Sequence, residues 1–128
     1  MSITPFAPIR GPIIVEARAT GPVQSADLRL LLDTGATSTM IRSRILLGLG
    51  YDLDRDGRPV RITTVNSVEV GVKVPLTRLF ALGRNRIGFP VVAHTLPPDA
   101  KIDGLLGLDF FQGHILSLDF QVGSITLT

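Results

Sequence analysis

The chain contains no cysteine, which excludes disulfide staples and thiolate nucleophiles and gives no sign of an oxidising compartment. Aromatic residues are scarce, six phenylalanines and one tyrosine, too few for a platform on which nucleic-acid bases could stack. No block of one charge sign is present either: thirteen Lys and Arg stand against eleven Asp and Glu for a net charge of +2. They are scattered, with Arg84 and Arg86 the nearest to a cluster, so no nucleic-acid partner is expected. Long hydrophobic runs are missing as well. Runs such as those at 30–32 and 45–47 fall far below the roughly 20 residues a membrane-spanning helix needs. Residues 1–10 lack the basic start and apolar stretch of a secretory signal. The expectation is a soluble chain with no membrane segment, in a cytoplasmic setting.

What is present is a core. A 128-residue chain with 45% hydrophobic residues suffices for one domain, taken as 1–128. Thirteen glycines and nine prolines punctuate runs rich in Val, Ile, Leu and Thr, the pattern of a mostly β protein. Strands are expected at about 12–20, 26–33, 60–66, 68–76, 78–82, 85–94, 114–120 and 123–128, with turns at Gly21-Pro22, Gly83, Gly88 and Gly123. Two segments read as short helices. In 43–50, Ser43 suits an N-cap and Gly50 a C-cap; in 105–112 a broad apolar face lies beside glycines. The polar stretch 51–59 reads as a loop.

The segment Leu30-Leu31-Leu32-Asp33-Thr34-Gly35-Ala36-Thr37 carries the chemistry. An apolar strand runs straight into an acid, and a carboxylate there costs free energy unless hydrogen bonds or function retain it. Gly35 allows a tight turn that brings amide donors near the acid, and Thr34 and Thr37 offer hydroxyls.

Asp33-Thr34-Gly35-Ala36 resembles the active-site signature of retropepsin-like aspartic peptidases, the single-domain relatives of pepsin. The resemblance extends to a first hairpin at PIIVEARATG and to a second signature at Asp103-Gly104-Leu105-Leu106-Gly107, then a short helix at 108–112 and two terminal strands. It implies an all-β, closed barrel-like acid-protease fold with one or two short helices. It further implies an aspartic endopeptidase in which two Asp33 carboxylates, one from each subunit of a homodimer, share a proton and activate a water against an extended polypeptide. Only one Asp-Thr-Gly is present, so the second acid would come from another copy across a two-fold axis. Thr34 would brace the two active-site loops across the dimer, Ala36 and Thr37 would line the floor with Thr37 positioned to bond Asp33, and Leu105, Leu106 and Gly107 would form the second signature. No cofactor or metal is implied. The alternative is a catalytically weak dimerisation or peptide-binding module on the same scaffold.

Members of that family cover the cleft with a hairpin flap. Here 61–65 and 68–72 are expected to pair around Asn66-Ser67, making Thr64, Val65, Asn66, Ser67 and Val68 the substrate-binding flap. The chain ends, near 3–9 and 124–128, are candidates for a sheet between subunits. Asp103, Asp109 and Asp119 lack a following Thr-Gly or Ser-Gly and are read as solvated or helix-capping. His94 and His114 have no metal-ligand spacing, Ser38 and Ser117 no nucleophile elbow, and Asp52, Asp54 and Asp56 no completed calcium loop.

Overall fold

A computed structural model describes residues 1–7, 11–63, 66–95 and 100–128. The order of elements is β1 (Ser2–Pro5), β2 (Ile14–Thr20), β3 (Ser25–Leu32), β4 (Met40–Arg42), α1 (Ser43–Gly48), α2 (Leu53–Asp56), β5 (Arg58–Thr63), β6 (Val68–Ala81), β7 (Arg84–His94), β8 (Gly104–Leu106), a 3₁₀ helix (Leu108–Phe111), β9 (Leu116–Asp119) and β10 (Ser124–Leu127).

Strict alternation starts the barrel. Val15, Ala17 and Ala19 of β2 are buried while Glu16 and Arg18 are exposed, and β3 repeats this with Leu28 and Leu30 around Arg29, the period of a strand with one wet face. The order β2-β3-β8-β4-β7-β6 closes through β2–β6 pairing, giving the expected closed barrel of six strands with two short helices. Its interior holds Leu30, Ile41, Val74, Leu76, Leu79, Val91, Leu106 and Phe110. The β5 strand extends β6 beyond the barrel.

Several expectations needed correction. Of the helix expected over 105–112, Leu108–Phe111 is helical, as a 3₁₀ helix, but residues 105 and 106 belong to β8, which lies between β3, parallel to it, and β4, antiparallel to it. A short apolar run beside glycines suits either state by periodicity, and the open slot between two strands decides. The loop expected at 51–59 contains α2, because the Asp52 carboxylate accepts the amides of Asp54 and Arg55 and so caps it. Ser43 is the first residue of α1 rather than its cap; Arg42 holds the cap position, its guanidinium donating away from the helix to the Ile102 and Ala100 carbonyls, while Gly50 (φ 104°) follows the C-cap Leu49 and ends the segment. The strands expected at 68–76 and 78–82 are one, β6. Thr77 is where its inward face changes phase, and its amide donates to the Tyr51 hydroxyl (3.1 Å), which itself donates to the Pro75 carbonyl (2.8 Å). The short strand β4 was not anticipated, its three residues giving too little pattern to read.

The chain ends pair with each other within the chain, in the order β1–β10–β9. Ser2 lies opposite Leu127 and Pro5 opposite Ser124. An edge-to-face contact of Phe6 and Phe120 (5.7 Å) and the bond from the Phe6 amide to the Gly123 carbonyl (2.8 Å) extend that pairing. Ser2 also donates its hydroxyl to the Leu82 carbonyl (2.6 Å), which secures the β6–β7 turn where Leu82 (φ 50°) and Gly83 (φ 73°) are both left-handed. No helix among the described residues is long and apolar enough to cross a membrane.

Candidate active site

Parallel pairing of Leu30, Leu31 and Leu32 with Gly104, Leu105 and Leu106 delivers Asp33 to the end of β3. Its amide continues the ladder to the Leu106 carbonyl (3.0 Å). The chain then turns tightly: the Ala36 amide donates to the Asp33 carbonyl (3.1 Å) and the Gly35 amide to Asp33 Oδ1 (2.9 Å). A side chain at 35 would begin 3.2 Å from that same oxygen, so glycine keeps the amide within reach of the acid. Asp33 is half-buried, Thr34 and Gly35 are exposed, and the Thr34 hydroxyl has no partner among the described residues.

The expectation that Thr37 bonds Asp33 is not met. Thr37 is exposed and contributes its carbonyl to the Asp109 amide (3.3 Å); the amide of Gly35, two residues past the acid, already occupies the carboxylate.

The first and second signatures are stitched together. The Leu108 amide donates to the Ala36 carbonyl (2.8 Å). The Gly107 amide donates to Thr39 Oγ1 (3.0 Å), and that hydroxyl donates to Asp109 Oδ1 (2.7 Å). Asp109 also accepts the Thr39 amide through both oxygens at 3.0 Å. Thr39 is fully buried (0% exposed). A Cβ on Gly107 would lie 2.7 Å from the Ser38 carbonyl carbon and 2.9 Å from the Ala36 oxygen, so the two loops meet with no room for a side chain. Sequence reading missed Thr39 altogether and assigned Asp109 to solvent or a cap. No linear signal joins a threonine to an aspartate 70 positions away; the barrel brings them together. The other two acids also serve the backbone: Asp103 accepts the Arg29 amide (2.7 Å), and Asp119 the amides of Gln121 and Val122.

Beside this loop lies an open cleft of about 340 Å³, bordered by Gly35, Ala36, Thr37 and Ser38 on one side and by β5 residues 60–63 on the other, with Met40, Lys73 and Val92 between. The β5–β6 hairpin pairs Thr63 with Val68, so four residues, 64–67, separate the strands. That is two residues off the expected register. A slip of two leaves every side chain on its original face, so hydrophobic pattern cannot detect it, and Asn66-Ser67 lacks the glycine a two-residue turn prefers. Thr64 and Val65 lie outside the described residues; Asn66, Ser67 and Val68 are exposed.

The family model for aspartyl proteases matches residues 15–110, a span that runs from β2 through both signatures. The chain belongs to the aspartyl protease family. No curated protein sequence matches it. Among solved structures, this aspartyl protease family member is similar to a retropepsin-like aspartic protease from Rickettsia conorii, with a TM-score of 0.69 at 18% identity, over 96% of this chain and 87% of that one. The shared fold is thus retropepsin-like, and family and fold together support a peptidase of retropepsin type. Among the described residues no three His, Asp or Glu converge where they could hold a metal ion.

Proposed function

We propose that this chain is one subunit of a homodimeric aspartic endopeptidase whose catalytic group is Asp33. The observation that carries the reading is the Asp33 carboxylate itself: it stands at the end of a buried strand, half open, held by one amide, on the loop that borders the cleft. An acid retained in such a place without an ion-pair partner among the described residues calls for a use. One chain supplies one such acid, and a two-fold axis beside the loop would supply the second, since an isologous contact places a residue near the axis opposite its own copy. Two carboxylates held that close share one proton. The ionised one takes a proton from the water between them as that water attacks the scissile carbonyl carbon, and the protonated one donates to the carbonyl oxygen. The proton gained by the first passes to the leaving amine as the tetrahedral carbon collapses.

Thr34, exposed and without a partner among the described residues, would bond across the axis and brace the paired loops. Ala36 and Thr37 would border the substrate, while Leu105, Leu106 and Gly107 would hold the loop from behind. The β5–β6 hairpin would close over an extended polypeptide bound as an added strand, with Thr64, Val65, Asn66, Ser67 and Val68 at its tip.

Digestion of a broad peptide mixture from acidic to neutral pH, compared between the wild-type protein and Asp33→Asn and read by mass spectrometry, tests this. Cleavage by the wild type alone is expected. Equal cleavage by both would remove Asp33 from the chemistry, and no cleavage by either at concentrations that favour dimers would point to a non-catalytic peptide-binding module.

A further inference from the structure

The cleft beside the Asp33 loop has an unbalanced charge. Among its lining residues are two cations, Arg61 and Lys73, and no carboxylate. Lys73 is placed there by register. It lies opposite Arg58 on β5 and Val92 on β7, and Val92 lies opposite Met40 on β4. Its neighbour Val74 is fully buried in the core, so Lys73 stands on the alternate, outer face, where it borders this cleft and two adjoining hollows, one lined by Asp56 and one by Asp109.

Asp33, on the loop that borders the cleft, is given to the proposed chemistry, and the other acids nearby are committed elsewhere. Asp56 of α2 pairs with Arg55 (3.0 Å). The Asp109 carboxylate is taken up by Thr39. The adjoining cations do not help: Arg58 lies across from Lys73, and Arg86 is turned to the carbonyls of Phe110 and Gln112. Among the described residues the side chains of Lys73 and Arg61 have neither a hydrogen bond nor an ion pair. A half-buried ammonium has lost part of its hydration with nothing in exchange, and an acidic group entering the cleft would restore the balance while satisfying it with charge-assisted bonds.

We infer that this part of the cleft is a subsite for an acidic side chain, glutamate or aspartate, of the polypeptide substrate, with Lys73 the principal determinant and Arg61 on the hairpin assisting. The inference rests on the peptidase reading above and names its substrate class. A hydrogen bond to a charged group in a partly dry site favours glutamate over glutamine by about tenfold in kcat/KM.

The test is a peptide library in which Glu/Gln pairs are placed at each position around the cleaved bond, digested by the wild type, Lys73→Met and Lys73→Glu. The readout is the Glu-to-Gln ratio of kcat/KM within each protein, which cancels any general change in activity or active fraction. The expected result is a ratio of about ten at one fixed position in the wild type, a ratio near one in Lys73→Met, and a preference for lysine or arginine at that position in Lys73→Glu. A wild-type ratio near one at every position, or a ratio unchanged in Lys73→Met, would overturn it. If the wild type cleaves nothing, the peptidase reading fails, and fluorescence-polarisation binding of the same Glu/Gln pairs to the wild type and Lys73→Met decides the subsite separately. Tighter binding of the glutamate peptide, lost in Lys73→Met, sustains it; equal or no binding overturns it.

Discussion

At the scale of single residues, the loop proposed as the active site depends on groups buried behind it. Thr39 is donor to Asp109 and acceptor from the Gly107 amide at once, and no water can replace its hydroxyl at full burial. Thr39→Val keeps the shape, leaves the buried Gly107 amide without an acceptor and removes one of the bonds to Asp109, so a loss of about 1–3 kcal/mol in urea unfolding is expected, with Thr39→Ser losing less. A change within experimental error would show that the network is not stabilising. Asp56 reports on acid instead. The Arg55 guanidinium bonded to it, and then the Asp52 amide, hold its carboxyl below the ordinary aspartate value of 3.8. A value depressed in the folded state stabilises the fold above the unfolded pKa, and that contribution disappears as pH falls through the folded-state value. The Asp56 titration midpoint, followed by NMR, is expected to rise toward 3.8 in Arg55→Ala. The pair lies at the surface, so its effect on acid stability is small.

Among the elements, the β5–β6 hairpin differs from everything else in the barrel. The distal part of β6 is paired on one side only, since β7 joins it from Val72 onward, and Val68 and Val70 are 60% and 80% exposed. Further along, Val74, Leu76, Leu79 and Ala81 are fully buried. Amide exchange in 58–63 and 68–71 is therefore expected to proceed by local opening, about 100-fold or more faster than in 74–81, which should open only with the whole barrel. Uniform protection along β6 would contradict a hairpin able to move over a bound peptide. The elements also show where a linear reading succeeds. β2, β3 and β7 were legible because each carries several periods of its own pattern, and α1, under two turns long, because its apolar residues stop at Gly50. β4 and β8 are three residues each, and their state is set by the neighbours they slot between rather than by propensity.

The molecule as a whole has its termini tied together in β1–β10–β9 and presents its active-site loop with half of the proposed catalytic pair. If the second Asp33 comes from another copy, activity per protomer falls on dilution through the dimer dissociation constant. Mixing wild type with excess Asp33→Asn then leaves activity proportional to the square of the wild-type fraction, because mixed dimers hold one carboxylate. A linear dependence would mean that each chain works alone.

The sequence by itself determined the mostly β class, the acid at the end of an apolar strand, and the two signatures that mark the family. These are local patterns: alternation, a turn glycine, an acid where the run of leucines stops. Tertiary structure alone decided that Thr39 and Asp109 meet, that 104–106 is a strand, that the chain ends pair within one copy, and that Lys73 borders the cleft beside Asp33. Each of these depends on which strands become neighbours, and that choice is made by the burial of all the apolar faces together, when the barrel closes, rather than by any one segment.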